Sequence, residues 1–336
     1  MNILPFAFND EMVNLIAKIN EKVARLEESQ KLENNLHLRK ENRIKTVKST
    51  TAIENNTLSL KQVTDVINGK LVVGNPLEIT EVKNTFNAYE HLQEYEPYNI
   101  KSFLTAHFYI TESRIKSAGK FRIGDVGVLE GKKLVHLGAR PQFIYGLIEE
   151  LFDFAKNSLS HPLIISSVVH YEIETIHPFD DGNGRIGRLW QTAILSKWKK
   201  IFEHIPIETV VYKYQSEYYN ALEESRETSD SSKFILFMLN AINETLDDVE
   251  EMQITDIITD IITDKLSSME IKVFTTIIKF LLKNEEIDNL KVQELTGKGA
   301  ESVKKYLSKF VKLALLIPIG QNKGRKYKLN NEILKK

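Results

Sequence analysis

The chain has 336 residues, with 45 Lys and Arg against 46 Asp and Glu, a formal net charge of −1 and no cysteine. That length holds two or three hydrophobic cores; the balanced charge excludes a general polyanion binder, and the missing cysteines exclude disulfide frameworks and thiolate metal sites. No apolar run reaches the roughly 20 residues that span a bilayer, and residues 1–8 are too short for the apolar core of a signal peptide, so a soluble cytoplasmic protein with no membrane partner is expected. Residues 10–45 read as a charged helical lead-in, with Met12, Leu15, Ile16, Ile19, Val23 and Leu26 at helical spacing. After it stands Ser-Thr-Thr-Ala-Ile-Glu-Asn-Asn at 49–56.

Residues 57–245 carry amphipathic helices, for example at 143–155 and 234–242. One interruption, residues 121–137, has β-branched residues on both sides of Glu130-Gly131-Lys132 and predicts a hairpin. Residues 163–177 form an apolar run long enough for a buried helix that ends at His177, because Pro178 follows. From there the chain reads His177-Pro178-Phe179-Asp180-Asp181-Gly182-Asn183-Gly184-Arg185-Ile186-Gly187-Arg188. The spacing of Ile186, Leu189, Trp190, Ala193 and Ile194 predicts a new helix from about Gly184. A glycine turn before a helix start brings backbone N–H groups to an anion. Arg185 and Arg188 share one face of the first turn and would clamp separate phosphates. Asp181 offers the hard oxygen that Mg²⁺ takes when it bridges phosphates. An imidazole at His177, with an ordinary pKa near neutrality, would serve as general base toward a hydroxyl. Attack of a hydroxyl on a Mg²⁺-bound nucleotide phosphate is the chemistry this pattern suggests.

Among the other histidines, His170 is expected in the core, His161 in a turn at a helix start and His136 in the hairpin. No zinc spacing, P-loop or dinucleotide fingerprint occurs. Residues 247–265, with their Ile-Ile-Thr-Asp repeat, read as a linking helix. Helices at about 268–283, 290–297 and 300–314, then two strands around residues 320–324, have the order of a winged helix-turn-helix, with Gly297 in the turn and 302–316 as recognition helix. From Glu285 onward twelve Lys and Arg stand against six Asp and Glu. Lys304, Lys305, Lys323, Arg325 and Lys326 would meet DNA phosphates, yet the recognition helix has no Arg, Asn or Gln to read a base edge. Docking of a protein is the competing use. The expected parts are therefore 1–56, 57–245, a link at 246–265, and 266–336.

The segment 177–188 resembles, position by position, the signature His-Pro-Phe-x-(Asp/Glu)-Gly-Asn-Gly-Arg-x-x-Arg of the Fic (Fic/Doc) family. The resemblance implies a mainly α fold: a Fic-type helical core with a β-hairpin flap, here followed by a winged helix. It implies transfer of AMP from ATP to a protein Ser, Thr or Tyr hydroxyl, with automodification. By position, His177 would deprotonate the hydroxyl, Asp181 would hold Mg²⁺, and Asn183 with Arg185 would contact the α- and β-phosphates. Gly182 and Gly184 would line the anion hole, Arg188 would hold the γ-phosphate, and Phe179 would anchor the loop. Residues 49–56 resemble the family's inhibitory motif (Ser/Thr)-x-x-x-Glu-(Gly/Asn), with Thr50, Glu54 and Asn55 in its places; Glu54 would pair with Arg188 and compete with the γ-phosphate. Residues 119–141 resemble the flap that pairs with a target's backbone, where a plain surface hairpin is the alternative. Residues 217–222 with Arg226 resemble the adenine-pocket segment, leaving Tyr218 and Tyr219 as base contacts or as ordinary core. Proteins of this layout often dimerise, so a homodimer is a further expectation. Alternatives stay open: a nucleotide-sensing DNA-binding regulator, phosphotransfer, transfer of another nucleotide, or hydrolytic removal of AMP using Glu54.

Overall fold

Two units, Met1–Leu246 and Asp247–Lys336, divide the chain. The structure, a computed structural model, describes residues 6–29, 35–130, 133–262, 265–281, 284–321 and 324–330.

In the first unit, α1 (Asp10–Ser29) buries Met12, Leu15, Ile19, Val23 and Leu26, the stripe that the spacing demands. The lead-in is not one helix, however. A second, α2 (Leu36–Ile53), starts at Asn35, whose side chain accepts the Leu38 N–H at 3.0 Å. Its Val47, Ser49, Thr50, Thr51, Ala52 and Ile53 are all buried. There follow α3 (Leu60–Ile67), with a Ser59–Gln62 capping box, α4 (Pro76–Glu90) and α5 (Ile100–Thr111). The hairpin strands β1 (Gly127–Glu130) and β2 (Lys133–Leu137) pair antiparallel, with a register irregularity at Val128/Leu129. His136 lies opposite Val128 in that register, and the turn residues Gly131 and Lys132 fall outside the described residues.

Next come α6 (Ile144–Asn157), α7 (Pro162–Ile176), α8 (Asn183–Trp198), α9 (Ile207–Lys213), α10 (Gln215–Thr228) and α11 (Ser232–Ile262). Helices α7 and α8 are buried on nearly every side, so they form the centre of the unit. Trp190 of α8 packs on Phe103 of α5 and Phe152 of α6, with ring centroids 5.0 and 6.0 Å away, and its indole N–H donates to Pro97 O at 2.8 Å. These rings anchor the loop between α7 and α8 from below. Helix α2 packs on α4, α8 and α9, which brings residues 49–56 to the same end of the unit as that loop.

In the second unit, α12 (Ser268–Leu281), β3 (Ile287–Asp288), α13 (Asn289–Thr296), α14 (Ala300–Lys312), β4 (Leu316–Ile319) and β5 (Lys326–Leu329) follow one another. Phe274, Ile277, Val292, Leu307 and Phe310 form its core, and the strands pair in the order β3-β5-β4. Pro318, which has no N–H to give a ladder, lies on an edge strand. Gly297 ends α13 at φ 65°. Helix α14 stops at Lys312, short of the expected 316, because Ala314 turns left-handed at φ 54° and sends Leu315 and Leu316 into the core. The third strand, two residues long, carries too little alternation to be read from sequence. Side chains of the Ile-Ile-Thr-Asp repeat, and residues 322–323 and 331–336, lie outside the described residues. No described helix is long and apolar enough to cross a membrane.

Candidate functional site

The loop between α7 and α8 owes its shape to two left-handed residues. His177 ends α7 at φ 52°, its N–H donating to Ile173 O at 2.9 Å, and Gly182 opens α8 at φ 88°. A methyl group on Gly182 would come within 2.9 Å of the Thr111 side chain, so only glycine fits there. Between them, Asn183 closes the turn: its Oδ1 accepts the Phe179 N–H and its Nδ2 donates to Phe179 O, both at 2.9 Å. Both ends of that amide are thus engaged with backbone. Phe179 points into the core, stacked on His107 with centroids 3.6 Å apart.

His107, on α5, fixes the loop from beneath. Its Nδ1 accepts the Gly119 N–H at 3.0 Å, which leaves the proton on Nε2 to donate to Asp181 O at 2.9 Å. Burial pushes its pKa down to about 4, so the ring is neutral in this role. Arg122 fixes the loop from the hairpin side. It is buried, and its guanidinium reaches His177 O (2.7 Å), Gly124 O (2.6 Å), Ala139 O (2.5 Å) and Ile176 O (3.4 Å). Both flanks of the hairpin are therefore tied to the backbone of His177.

A cavity of about 570 Å³ opens over this loop, lined by Glu54, Glu174, His177, Asp181, Gly184 and Arg188 among others. Its floor is the N-terminus of α8, which carries no side-chain cap. Arg185 donates to Asp181 Oδ1 at 2.6 Å and to Glu81 Oε1, which also takes Arg114 at 2.8 Å. Asn56 donates to the other Glu81 oxygen at 3.0 Å. Glu81 thereby links the segment after α2 to the first motif arginine. Arg188 is gripped from α2: Nη2 donates to Glu54 Oε1 at 2.7 Å and to Thr50 O at 3.2 Å, and Nε donates to Thr50 Oγ1 at 2.8 Å. Burial alone would push the Glu54 carboxyl up, but Arg188 and then Arg185 outweigh it and hold it below the ordinary carboxylate range. A methyl on Gly184 would collide with the Glu54 carboxylate. A carboxylate thus already stands at the anion-binding end of α8.

Asn55 acts differently from its neighbours. It sits at φ 65°, with its N–H bonded to Ala52 O and that of Asn56 bonded to Thr51 O. This is the six-to-one and five-to-two pattern that ends a helix with a left-handed residue, a place for Gly or Asn. Glu54 is held at the helix end by that geometry.

Of the two open readings, Tyr218 takes the core one, fully buried and outside the cavity lining; Tyr219, partly exposed, lines the cavity. Tyr218 belongs instead to a buried chain. Its hydroxyl lies 3.0 Å from His170 Nε2 and 3.2 Å from Glu174 Oε1, while His170 Nδ1 lies 2.7 Å from Gln191 Oε1. His170 is neutral, its pKa pushed down to about 3 by burial, so with Nδ1–H donating to Gln191 its Nε2 accepts the tyrosine proton. The same hydroxyl also points its proton toward Glu174 Oε1, a carboxyl whose pKa burial raises. His161 caps α7 by accepting the Leu163 N–H at 3.2 Å.

Mg²⁺ keeps several waters and takes one or two protein carboxylates beside substrate phosphates. Asp181 fits that use: it lines the cavity, keeps 39% of its side chain accessible and has Oδ2 outside the Arg185 contact, with Arg114 Nη2 3.9 Å away. Among the described residues no group of three or more His, Asp or Glu could hold a metal without a substrate.

Residues 92–195 match the family model described as the Fic/DOC family. The chain is 25% identical over 209 residues to the protein adenylyltransferase Fic of Nematostella vectensis, covering 59% of this chain and 46% of that one. The same figures hold for the protein of that name from Drosophila mojavensis, with 39% of the latter covered. The chain spans less than half the length of these relatives. The crystal structure of a Fic family protein from Desulfovibrio desulfuricans is 33% identical, with 97% of both chains covered and a TM-score of 0.71. Fic-1 of C. elegans shares the fold at 20% identity, with 73% of this chain and 72% of that one covered and a TM-score of 0.59.

Proposed function

Because the chain belongs to the Fic family, we propose that it is a cytoplasmic, autoinhibited protein adenylyltransferase, moving AMP from ATP to a Ser, Thr or Tyr hydroxyl of a protein target and, as a side reaction, to itself. The names of its relatives support adenylyl transfer. The observation that carries the inhibited reading is the grip of Thr50 and Glu54 on Arg188 at the mouth of the anion site. In the reaction His177 takes the proton of the target hydroxyl. The new bond joins that oxygen to the α-phosphorus, and the bond from the α-phosphorus to the bridging oxygen breaks, releasing pyrophosphate. Asp181 would hold Mg²⁺, which would neutralise phosphate charge when bound. Gly182 and Gly184 N–H groups meet the phosphates, and Arg185 turns to them from Glu81 and Asp181. Arg188 reaches the γ-phosphate only after Glu54 withdraws. The hairpin, tied to His177 through Arg122, presents the target segment by strand addition.

The test uses wild type, Glu54→Gly and Glu54→Gly/His177→Ala, each with Mg²⁺ and ATP labelled at the α- or γ-phosphate, followed by intact mass. Covalent α-label with the mass of AMP, strong in Glu54→Gly and absent in the double variant, is the expected result. Label from the γ-position would mean phosphotransfer. Release of label that depends on Glu54 would mean hydrolytic removal. No label in any form would remove automodification and turn the test to other nucleotides, to a supplied protein target and to DNA binding by the second unit.

A second reading concerns the second unit, which we read as a winged helix. A cavity on α14 is lined by Glu301, Lys304, Lys305, Ser308, Lys309 and Lys312; Lys309 is paired with Glu270 at 2.8 Å, and the other lysines suit a phosphate backbone. Lys304→Ala/Lys305→Ala should weaken DNA binding and flatten its salt dependence; absence of any salt-sensitive binding in the wild type would leave docking of a protein as the unit's use.

A further inference from the structure

The half of α2 remote from Glu54 lines a second cavity, of about 460 Å³, that plays no part in the chemistry above. Three cations enter it from that one helix: Arg39, Lys40 and Arg43. The far walls are Phe86 and Glu90 of α4, and His204. The cavity is therefore a seam between α2 and the elements it rests on, drawn together by Asn42, whose Nδ2 donates to His204 O at 3.0 Å.

Its charge is unbalanced. Glu90 is the one carboxylate in the lining; it is half exposed and stands 3.4 Å from Arg43 Nε. Arg43 is held by the Tyr89 ring, 5.3 Å from its guanidinium carbon. Lys40 reaches Asn68 Oδ1 at 2.7 Å, a neutral acceptor. Arg39 Nε is buried and has no hydrogen-bond partner among the described residues. A buried guanidinium N–H without an acceptor is costly, and a turn of the side chain toward an anion in the cavity would relieve it. His204 feels the same field: burial first, then Arg43, Arg39 and Lys200, push its pKa down to about 4.

We propose that this cavity is an anion site for a small phosphate-bearing ligand, and that its occupancy holds α2 where Glu54 meets Arg188. Arginines four apart on one helix present two forks to the several acceptor oxygens of a phosphate. The space exceeds what a lone phosphate fills, and Phe86 offers an apolar wall to the rest of the ligand. The regulatory step follows from linkage. The site exists because α2 lies against α4 and His204, so a ligand that bridges them favours that position of the helix. Arg39 and Thr50 lie on one continuous helix, roughly 16 Å apart along its axis, so holding one end holds the other. The ligand therefore strengthens inhibition.

The binding half stands alone; the regulatory half rests on the adenylyl-transfer reading. Inorganic phosphate is the probe, titrated calorimetrically into full-length wild type, Arg39→Gln, Arg39→Lys and Arg188→Ala. Phosphate should bind wild type and Arg188→Ala alike, about tenfold or more weaker in Arg39→Gln, with Arg39→Lys between them. Binding lost in Arg188→Ala but kept in Arg39→Gln would place the anion at α8 and overturn the site. No binding to wild type at about 10 mM phosphate would overturn it too. In parallel, phosphate against chloride of equal ionic strength should slow automodification of wild type and leave Arg39→Gln and Glu54→Gly unchanged. Equal slowing of all three would overturn the regulatory half. If Glu54→Gly never labels itself, the automodification reading fails while calorimetry still decides the site.

Discussion

Thr50 and Glu54 hold Arg188 with unequal force. Glu54 supplies an ion pair, Thr50 a hydroxyl and a carbonyl. Removing the hydroxyl in Thr50→Ala loses one charge-assisted hydrogen bond, about 1 kcal/mol once water replaces it. Automodification should then rise about fivefold, well short of Glu54→Gly; a rate equal to wild type would take Thr50 out of the restraint. The pH dependence has a definite sign. The Glu54 carboxyl is held below its ordinary range, so its contribution is present above that range and is lost only as pH falls through the depressed value. The ratio of Glu54→Gly to wild-type rates should therefore stay flat between about pH 6 and 8. Glu174 runs the other way. Burial raises its pKa, so its contribution to stability is present below the ordinary carboxylate range and is lost as pH rises through the raised value. Glu174→Gln, which removes the buried charge, should raise the Tm at about pH 8, and the gain should vanish in acid; a gain independent of pH would show that the carboxyl titrates alike in the folded and unfolded chain. The motif from His177 to Arg188 was legible in the sequence because one loop and one helical turn carry it. His107 was not, because it meets Asp181 from 74 residues away, and nothing local marks a histidine for that contact. The Tyr218–Tyr219 pair was readable in part: Tyr218 shares a helical stripe with Leu222 and Ser225, and all three are buried.

The hairpin and the loop after α7 behave as one element because of Arg122. Its partners are carbonyls on both hairpin flanks and at the end of α7, whose last carbonyls lack helical donors. Arg122→Ala would leave several buried carbonyls without donors, a cost of about 2–4 kcal/mol. The effect on function should be selective. With the hairpin no longer registered on His177, the transfer rate should fall more than about tenfold, while ATP affinity, which depends on α8, holds within about twofold. Arg122→Lys should recover part of the rate, since one ammonium can serve some of these acceptors. Parallel loss of ATP affinity would mean that Arg122 supports the unit generally and does not position the hairpin. The hairpin itself was legible from its β-branched flanks around Gly131. The binding of its base to His177 was not, because a lone arginine in a loop reads as solvated surface.

At the scale of the molecule, each unit has a core of its own: Phe103, Phe152, Phe179 and Trp190 in one, Phe274, Leu307 and Phe310 in the other. The expected boundary between residues 245 and 246 lies within α11, which runs through it as continuous helix. The sequence marked a change of composition there, and helical propensity carried the helix across it. Separate cores imply separate cooperative transitions, and the cavity over α8 is built wholly from the first unit. Mg²⁺ and ATP at about 100 times the dissociation constant should stabilise that unit alone, by about 2.7 kcal/mol. Calorimetry of Glu54→Gly, where Arg188 is released, should therefore show one transition moving up by several degrees while the other stays in place. Wild type, with Glu54 in the anion site, should show a smaller shift at the same nucleotide concentration. A single transition that moves as a whole would mean that the two cores unfold together, and nucleotide binding at α8 would then be felt throughout the second unit.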